Sequence, residues 1–176
     1  MSKTSRIMGR IVLTAMMVIS LLTVFSPSVS ASPGDIRVPE AYTTILQAID
    51  NVDAENRTIL VNALTYNATE TVVVDESNIA IRSVNGSAVV TAGGAADHVF
   101  NITGQANVTL EGFEIRDANG GASRSVAGIW MNNATGCNIS NIAVTNITTT
   151  GAVFTATGIR LSDSNNNTFG SSIDVS

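Results

Sequence analysis

The chain is expected to fold as an all-β solenoid fronted by one short helix, and its internal repetition is the reason. Ala127-Gly128-Ile129-Trp130-Met131-Asn132-Asn133 returns as Thr157-Gly158-Ile159-Arg160-Leu161-Ser162-Asp163. Both copies pass through an Asn-rich turn. The first leads to Asn138-Ile139-Ser140-Asn141-Ile142-Ala143-Val144, and the second to Thr168-Phe169-Gly170-Ser171-Ser172-Ile173-Asp174-Val175, with one residue inserted. A period of about thirty residues made of short strands and Asn/Gly turns is the signature of stacked coils. Alternation at Ile129/Met131 and Ile159/Leu161 gives each strand one inward face.

Residues 1–31 stand apart from that pattern. Lys3, Arg6 and Arg10 make a basic start, 11–25 is apolar but short for a bilayer, and Val29-Ser30-Ala31 has the small residues of a cleavage site. A cleaved secretory signal peptide is predicted. The alternative is an uncleaved membrane anchor, against which Ser26 and Pro27 interrupt the run early. No later segment is apolar enough to span a membrane.

Residues 32–56 are expected to hold a strand at 36–38, closed by Pro39, and then a helix. Thr44-Ile45-Leu46-Gln47 reads as a capping box, the Thr hydroxyl and Gln side chain covering free backbone donors. Ile45, Ile49 and Val52 share a face with Leu46 beside them. Such a helix can cover the apolar end and open strand edges of a stack. Residues 57–176 read as the coils, with strands at 58–61, 71–74, 79–82, 88–91, 98–102 and 108–115. Asn85-Gly86 and Gly93-Gly94 are among the turns between them. Asn132-Asn133 and Asn165-Asn166-Asn167 are expected to stack between coils through shared amide hydrogen bonds. Asn also tolerates the left-handed backbone of a sharp turn.

Lys3 is the only lysine, so the chain after the leader sets six arginines against fourteen acids. That is a net charge of −8, where the whole chain carries −5. Such a surface offers no footprint for a phosphate backbone, and nucleic acid is not an expected partner. Cys137 has no second cysteine to pair with. It follows Gly136 and is read as a small apolar residue of the stack, the alternative being a reactive thiol.

Val38-Pro39-Glu40-Ala41-Tyr42-Thr43-Thr44-Ile45, followed by Gln47-Ala48-Ile49-Asp50, resembles the opening of proteins of the pectin-lyase-like superfamily. Leu64-Thr65-Tyr66-Asn67 and Val72-Val73-Val74 resemble their next segment. Gly112-Phe113-Glu114-Ile115-Arg116 and Asn165-Asn166-Asn167-Thr168-Phe169 resemble repeats of the NosD-type subgroup, as in archaeal cell-surface proteins. The resemblance implies a right-handed parallel β-helix with one short N-terminal capping α-helix. It also raises the chemistry of superfamily members that cleave acidic polysaccharides, which stack carboxylates near an Arg or Lys.

Glycosidic hydrolysis needs two carboxyls at a defined separation, and a lyase needs a base and a cation. Glu111 and Glu114, with Arg116 and Asp117, are the candidates here. One coil on, their aligned positions are Ser140, Ala143, Thr145 and Asn146, so the acids do not continue. A solvated same-strand pair of Glu114 with Arg116 is the plainer reading. His98 reads as a strand-edge residue. A copper site, which the NosD-type resemblance brings to mind, calls for clustered His, Cys or Met. With one His, one Cys and Met131 aligned to core Leu161, no metal and no cofactor is expected.

Trp130 lies between inward Ile129 and Met131 and is expected to point outward, with Arg160 in the same place one coil later. An indole with a guanidinium beside it can serve as a ligand platform for a sugar ring. The alternative is that Trp130 covers a gap beneath loop 117–126. Loops 117–126 and 146–156 leave at matching points of successive coils and are expected to form one ridge.

Asn-x-Ser/Thr occurs at Asn56, Asn67, Asn85, Asn101, Asn107, Asn133, Asn138, Asn146 and Asn166. That density reads as a glycosylated surface protein, or as turns that favour Asn beside strands that favour Thr. Together these features predict an exported cell-surface or envelope module that is non-catalytic and binds extracellular glycans or neighbouring surface proteins. A polysaccharide lyase or glycoside hydrolase is the rival. A third reading is the N-terminal fragment of a longer surface protein, because the repeat stops in mid-coil. That open last coil, with Ile173 and Val175 on a terminal strand, is also expected to self-associate.

Overall fold

The structure, a computed structural model, describes residues 34–55, 57–93 and 97–176. The leader, the sequon at Asn56 and the turn residue Gly94 lie outside the described residues. The chain forms β1 (Asp35–Val38), α1 (Ile45–Ile49), β2 (Thr58–Asn62), β3 (Thr65–Ala68), β4 (Val72–Val73), β5 (Ala80–Val84), β6 (Ala88–Ala92) and β7 (His98–Thr103). It continues through β8 (Thr109–Glu111), β9 (Phe113–Arg116), β10 (Val126–Asn132), β11 (Asn138–Ser140), β12 (Ile142–Thr145), β13 (Ala156–Ser162), β14 (Thr168–Phe169) and β15 (Ile173–Val175).

These strands wind into a parallel β-solenoid with three faces. Sheet A has the order β1-β2-β5-β8-β11-β14, sheet B β15-β12-β9-β6-β3, and sheet C β13-β10-β7-β4. Each strand pairs in parallel with the strand one coil away, so like residues stack. On sheet A the inward ladder runs Ile36, Ile59, Ile81, Leu110, Ile139, Phe169. On sheet B it runs Val90, Ile115, Val144, Val175, and on sheet C Phe100, Ile129, Ile159. Side chains from three sheets meet along one axis. Burying each Ile or Leu fully there contributes about 1.5–3 kcal/mol.

Corners are made by residues with left-handed backbone, where Asn and Gly are the least strained choices. One column stacks Asn78 (φ 59°), Asn107 (φ 55°), Gly136 (φ 65°) and Asn166 (φ 55°). Another stacks Gly112 (φ 83°), Asn141 (φ 52°) and Ser172 (φ 60°). Gly112 breaks the strand expected at 108–115 into β8 on sheet A and β9 on sheet B. A further strand, β3, lies at a place read only as a family-like segment.

The amide stacking expected at Asn132-Asn133 and Asn165-Asn166-Asn167 takes another form. Asn167 bridges to the backbone of the previous coil, donating to the Ala134 carbonyl at 3.0 Å and accepting from the Cys137 N–H at 2.9 Å. A side-chain amide pair forms instead at the first corner, where Asn107 donates to Asn78 at 2.9 Å.

At the N-terminal end, α1 begins as the sequence proposes. The Gln47 N–H donates to the Thr44 hydroxyl at 3.1 Å. The second half of the box differs, because the Gln47 side-chain oxygen accepts from the Thr43 hydroxyl at 2.8 Å. Ile45, Ala48 and Ile49 are buried against the first coils. At the other end, Leu161 is 43% exposed and Ile159 only partly buried. Both occupy the inward ladders expected of them. In a solenoid, however, burial comes as much from the next coil as from the facing sheets, and β13 has a neighbour on one side only.

Candidate functional site

On the outer face of sheet C three planar side chains lie together. Trp130 sits on β10, in register with Asn101 of β7 on one side and Arg160 of β13 on the other. The Arg160 guanidinium carbon lies 4.6 Å from the indole centroid. On the opposite side the His98 ring stacks on Trp130, with centroids 5.4 Å apart and planes inclined by 20°. His98 is in register with Ala127 rather than Trp130, so its ring reaches diagonally along the ladder. Trp130 therefore points outward as expected and stays partly exposed, but its two faces are met by His98 and Arg160.

The Ala127 N–H donates to His98 Nδ1 at 3.0 Å, which leaves the ring proton on Nε2. Burial pushes the His98 pKa below its ordinary value; Asp97 opposes this and Arg160 reinforces it. The shift favours the neutral imidazole, where a second cation would crowd Arg160. Arg57, Arg82, Arg116 and Arg124 each pair with a carboxylate. Among the described residues Arg160 has no ion-pair partner, and its contact is the indole.

Beside this face the two loops close on each other. The Thr148 N–H donates to the Ala118 carbonyl at 2.9 Å and the Thr150 N–H to the Gly121 carbonyl at 2.8 Å. The Thr149 hydroxyl reaches the Gly121 carbonyl at 2.7 Å, and the Thr155 N–H reaches Ser125 Oγ at 3.0 Å. Loops 117–126 and 146–156 therefore form one hydrogen-bonded ridge, with Val153 at 84% exposure on its crest.

The other candidates are placed elsewhere. The Gly112 corner puts Glu111 and Glu114 on different sheets. Glu111 faces Arg82 and Ser140 along its ladder, at 3.5 Å from the Arg82 guanidinium. Glu114 has Val89 and Ala143 as register neighbours and pairs with Arg116 at 3.0 Å. Arg116 also lies 3.6 Å from Asp117. Each carboxylate is followed by a neutral residue on the next coil. Among the described residues no three His, Cys, Asp or Glu side chains cluster to hold a metal. Cys137 is buried, and burial raises its thiol pKa, which suppresses the thiolate a reactive cysteine needs.

Of the described sequon residues, Asn85, Asn107, Asn133, Asn146 and Asn166 all have left-handed backbone at corners. Asn67 lies exposed on β3, Asn138 exposed on β11, and Asn101 partly exposed on β7. The sequence reading missed His98 as the third member of the stack. The available signal was its distance of twenty-nine residues from Ala127, close to the repeat. A hollow of about 230 Å³ between α1 and the start of sheet B, lined in part by Leu46, Tyr66, Asn67 and Glu70, was also missed. Compared with known protein families, with curated proteins and with solved structures, the chain gives no match in any of the three.

Proposed function

We propose that this chain is an exported cell-surface or envelope module that binds extracellular glycans at the outer face of sheet C, without catalysing their cleavage. The observation that carries this reading is the stack of His98, Trp130 and Arg160 on a rigid parallel sheet beside a ridge of two interlocked loops. A rigid sheet holds the platform without ordering cost on binding, and loops at its rim supply specificity. Because His98 and Arg160 occupy the indole faces, a sugar meets the exposed indole edge and the Arg160 donors, or displaces the flexible Arg160 chain. The opening motif at 38–50, together with the parallel coils, supports placing the chain in the pectin-lyase-like superfamily, NosD-type subgroup. The leader-like start at 1–31 supports export.

The test is binding and cleavage by residues 32–176 against a panel of polysaccharides. At least one polysaccharide is expected to bind without loss of length. Trp130→Ala is expected to weaken that binding by about 1–3 kcal/mol, the scale of one aromatic anchor, and to leave the fold intact. Cleavage that falls on Glu111→Gln or Glu114→Gln would instead establish the lyase or hydrolase reading.

A further inference from the structure

We infer that Asn101 is glycosylated and that its first sugar lies in the outer ladder of sheet C, between Val73 and Trp130. The inference rests on the exported-surface reading above and singles out one sequon among nine. Asn101 has Val73 and Trp130 as its register neighbours, each about 4.8 Å away by ordinary strand spacing. Val73 is 39% exposed and the indole partly so. An outward amide is thus flanked by Val73 and by the indole edge that His98 and Arg160 leave open. A pyranose suits such a groove, because its C–H faces pack on apolar groups while its hydroxyls stay in water.

The amide itself is set for attachment. Asn101 Oδ1 accepts from the hydroxyl of Thr103, the third sequon residue, at 2.6 Å, and among the described residues nothing takes Nδ2. By contrast, Nδ2 of Asn107 donates to Asn78 and Nδ2 of Asn146 to Asp117. A sugar on one of the corner asparagines would leave an edge of the coil rather than lie along a ladder.

The step needs a glycosyl diphosphate donor of the kind carried on lipids in export pathways. Asn101 Nδ2 loses one proton, which passes to solvent, and bonds to the anomeric carbon of the sugar. The bond from that carbon to the diphosphate oxygen breaks, and the diphosphate leaves with the electron pair. The resulting sugar covers Val73 and the open edge of the indole and leaves Arg160 open to a foreign ligand.

The full chain, secreted behind a host leader from a glycosylating host, tests this. Enzymatic release of glycans in heavy-oxygen water turns each occupied Asn into a heavy Asp, and peptide mass spectrometry is expected to find one at position 101. Trp130 is the only tryptophan, so quenching of its emission by acrylamide reports on this ladder alone. Quenching is expected to be about twofold weaker in the parent than in Asn101→Gln from the same host, as sugar covers the open indole edge. Asn85→Gln is expected to match the parent. Asn101 unmodified while Asn85 or Asn138 is modified, or equal quenching in the parent and Asn101→Gln, would overturn the inference. A chain modified nowhere overturns it together with the glycoprotein reading. Polysaccharide binding by protein made in a non-glycosylating host tests the platform separately, so the two failures can be told apart.

Discussion

A Cβ on Gly128 would overlap Val144 Cγ1 and meet the Gly158 carbonyl oxygen at 2.7 Å. Val144 is fully buried on sheet B, so sheets B and C approach too closely there for any side chain. Gly128→Ala is therefore expected to cost at least about 1–3 kcal/mol, the scale of overpacking a filled core, read as a lower denaturation midpoint. A midpoint equal to the parent's would show that the sheets can part. Gly158 repeats the contact against Val175, but Val175 is 54% exposed and free to swing, so Gly158→Ala is expected to be milder. His98 governs a pH dependence. Its folded pKa lies below the ordinary value of about 6.5, so the folded state binds fewer protons than the unfolded chain between those two values. Its contribution to stability is complete above the ordinary value and declines as pH falls through it, levelling off below the folded pKa. Urea midpoints are expected to drop across that window, and His98→Gln is expected to flatten the drop. An unchanged slope in the variant would mean that other groups cause it.

Strands in this molecule are only as buried as their position in the stack. Ile129 lies between Phe100 and Ile159 and is fully buried, whereas Ile159 belongs to the last strand of sheet C and is partly open. Ile129→Asp places a carboxylate without a partner in the core and is expected to cost about 3–5 kcal/mol. Ile159→Asp, which reaches water, is expected to cost roughly half of that. Thermal unfolding of the two variants side by side checks this. Equal losses would mean that β13 is covered in solution. The same reasoning explains how much of the candidate site was legible. Trp130 and Arg160 are thirty positions apart in a chain that repeats at that interval, so their meeting can be read from the repeat. Glu111 and Glu114 are three positions apart and look like neighbours on one strand. A single left-handed glycine between them sends them to different sheets, and only the corner geometry reveals it.

The two ends of the described solenoid are unlike. Near the N-terminus, α1 lays Ile45, Ala48 and Ile49 over the first coils. In the last coil, Leu161, Phe169 and Val175 are 43%, 41% and 54% exposed, and β13, β14 and β15 each have a strand on one side only. Exposed parallel edges with apolar side chains pair with other chains unless charged or covered, and Asp174 is the one charge on β15. Residues 32–176 are expected to scatter light as dimers or larger assemblies, and Leu161→Lys with Val175→Lys is expected to disperse them. A monomer at high concentration in the parent would count against this.

The sequence by itself determined the coil period, the inward ladders and the Asn-rich turns, but not the corner at Gly112. Each depends on local chemistry repeated at a fixed interval: alternation for the ladders, Asn and Gly for left-handed turns, and a capped amphipathic segment for α1. It also determined that positions 130 and 160 would stack. Tertiary structure alone decided that His98 completes the stack, because its ring crosses the ladder diagonally from a position paired with Ala127. It alone split Glu111 from Glu114, and it alone ranked the inward residues by burial. Those three outcomes depend on which coil lies above and which sheet lies opposite, and no single segment of the chain carries that information.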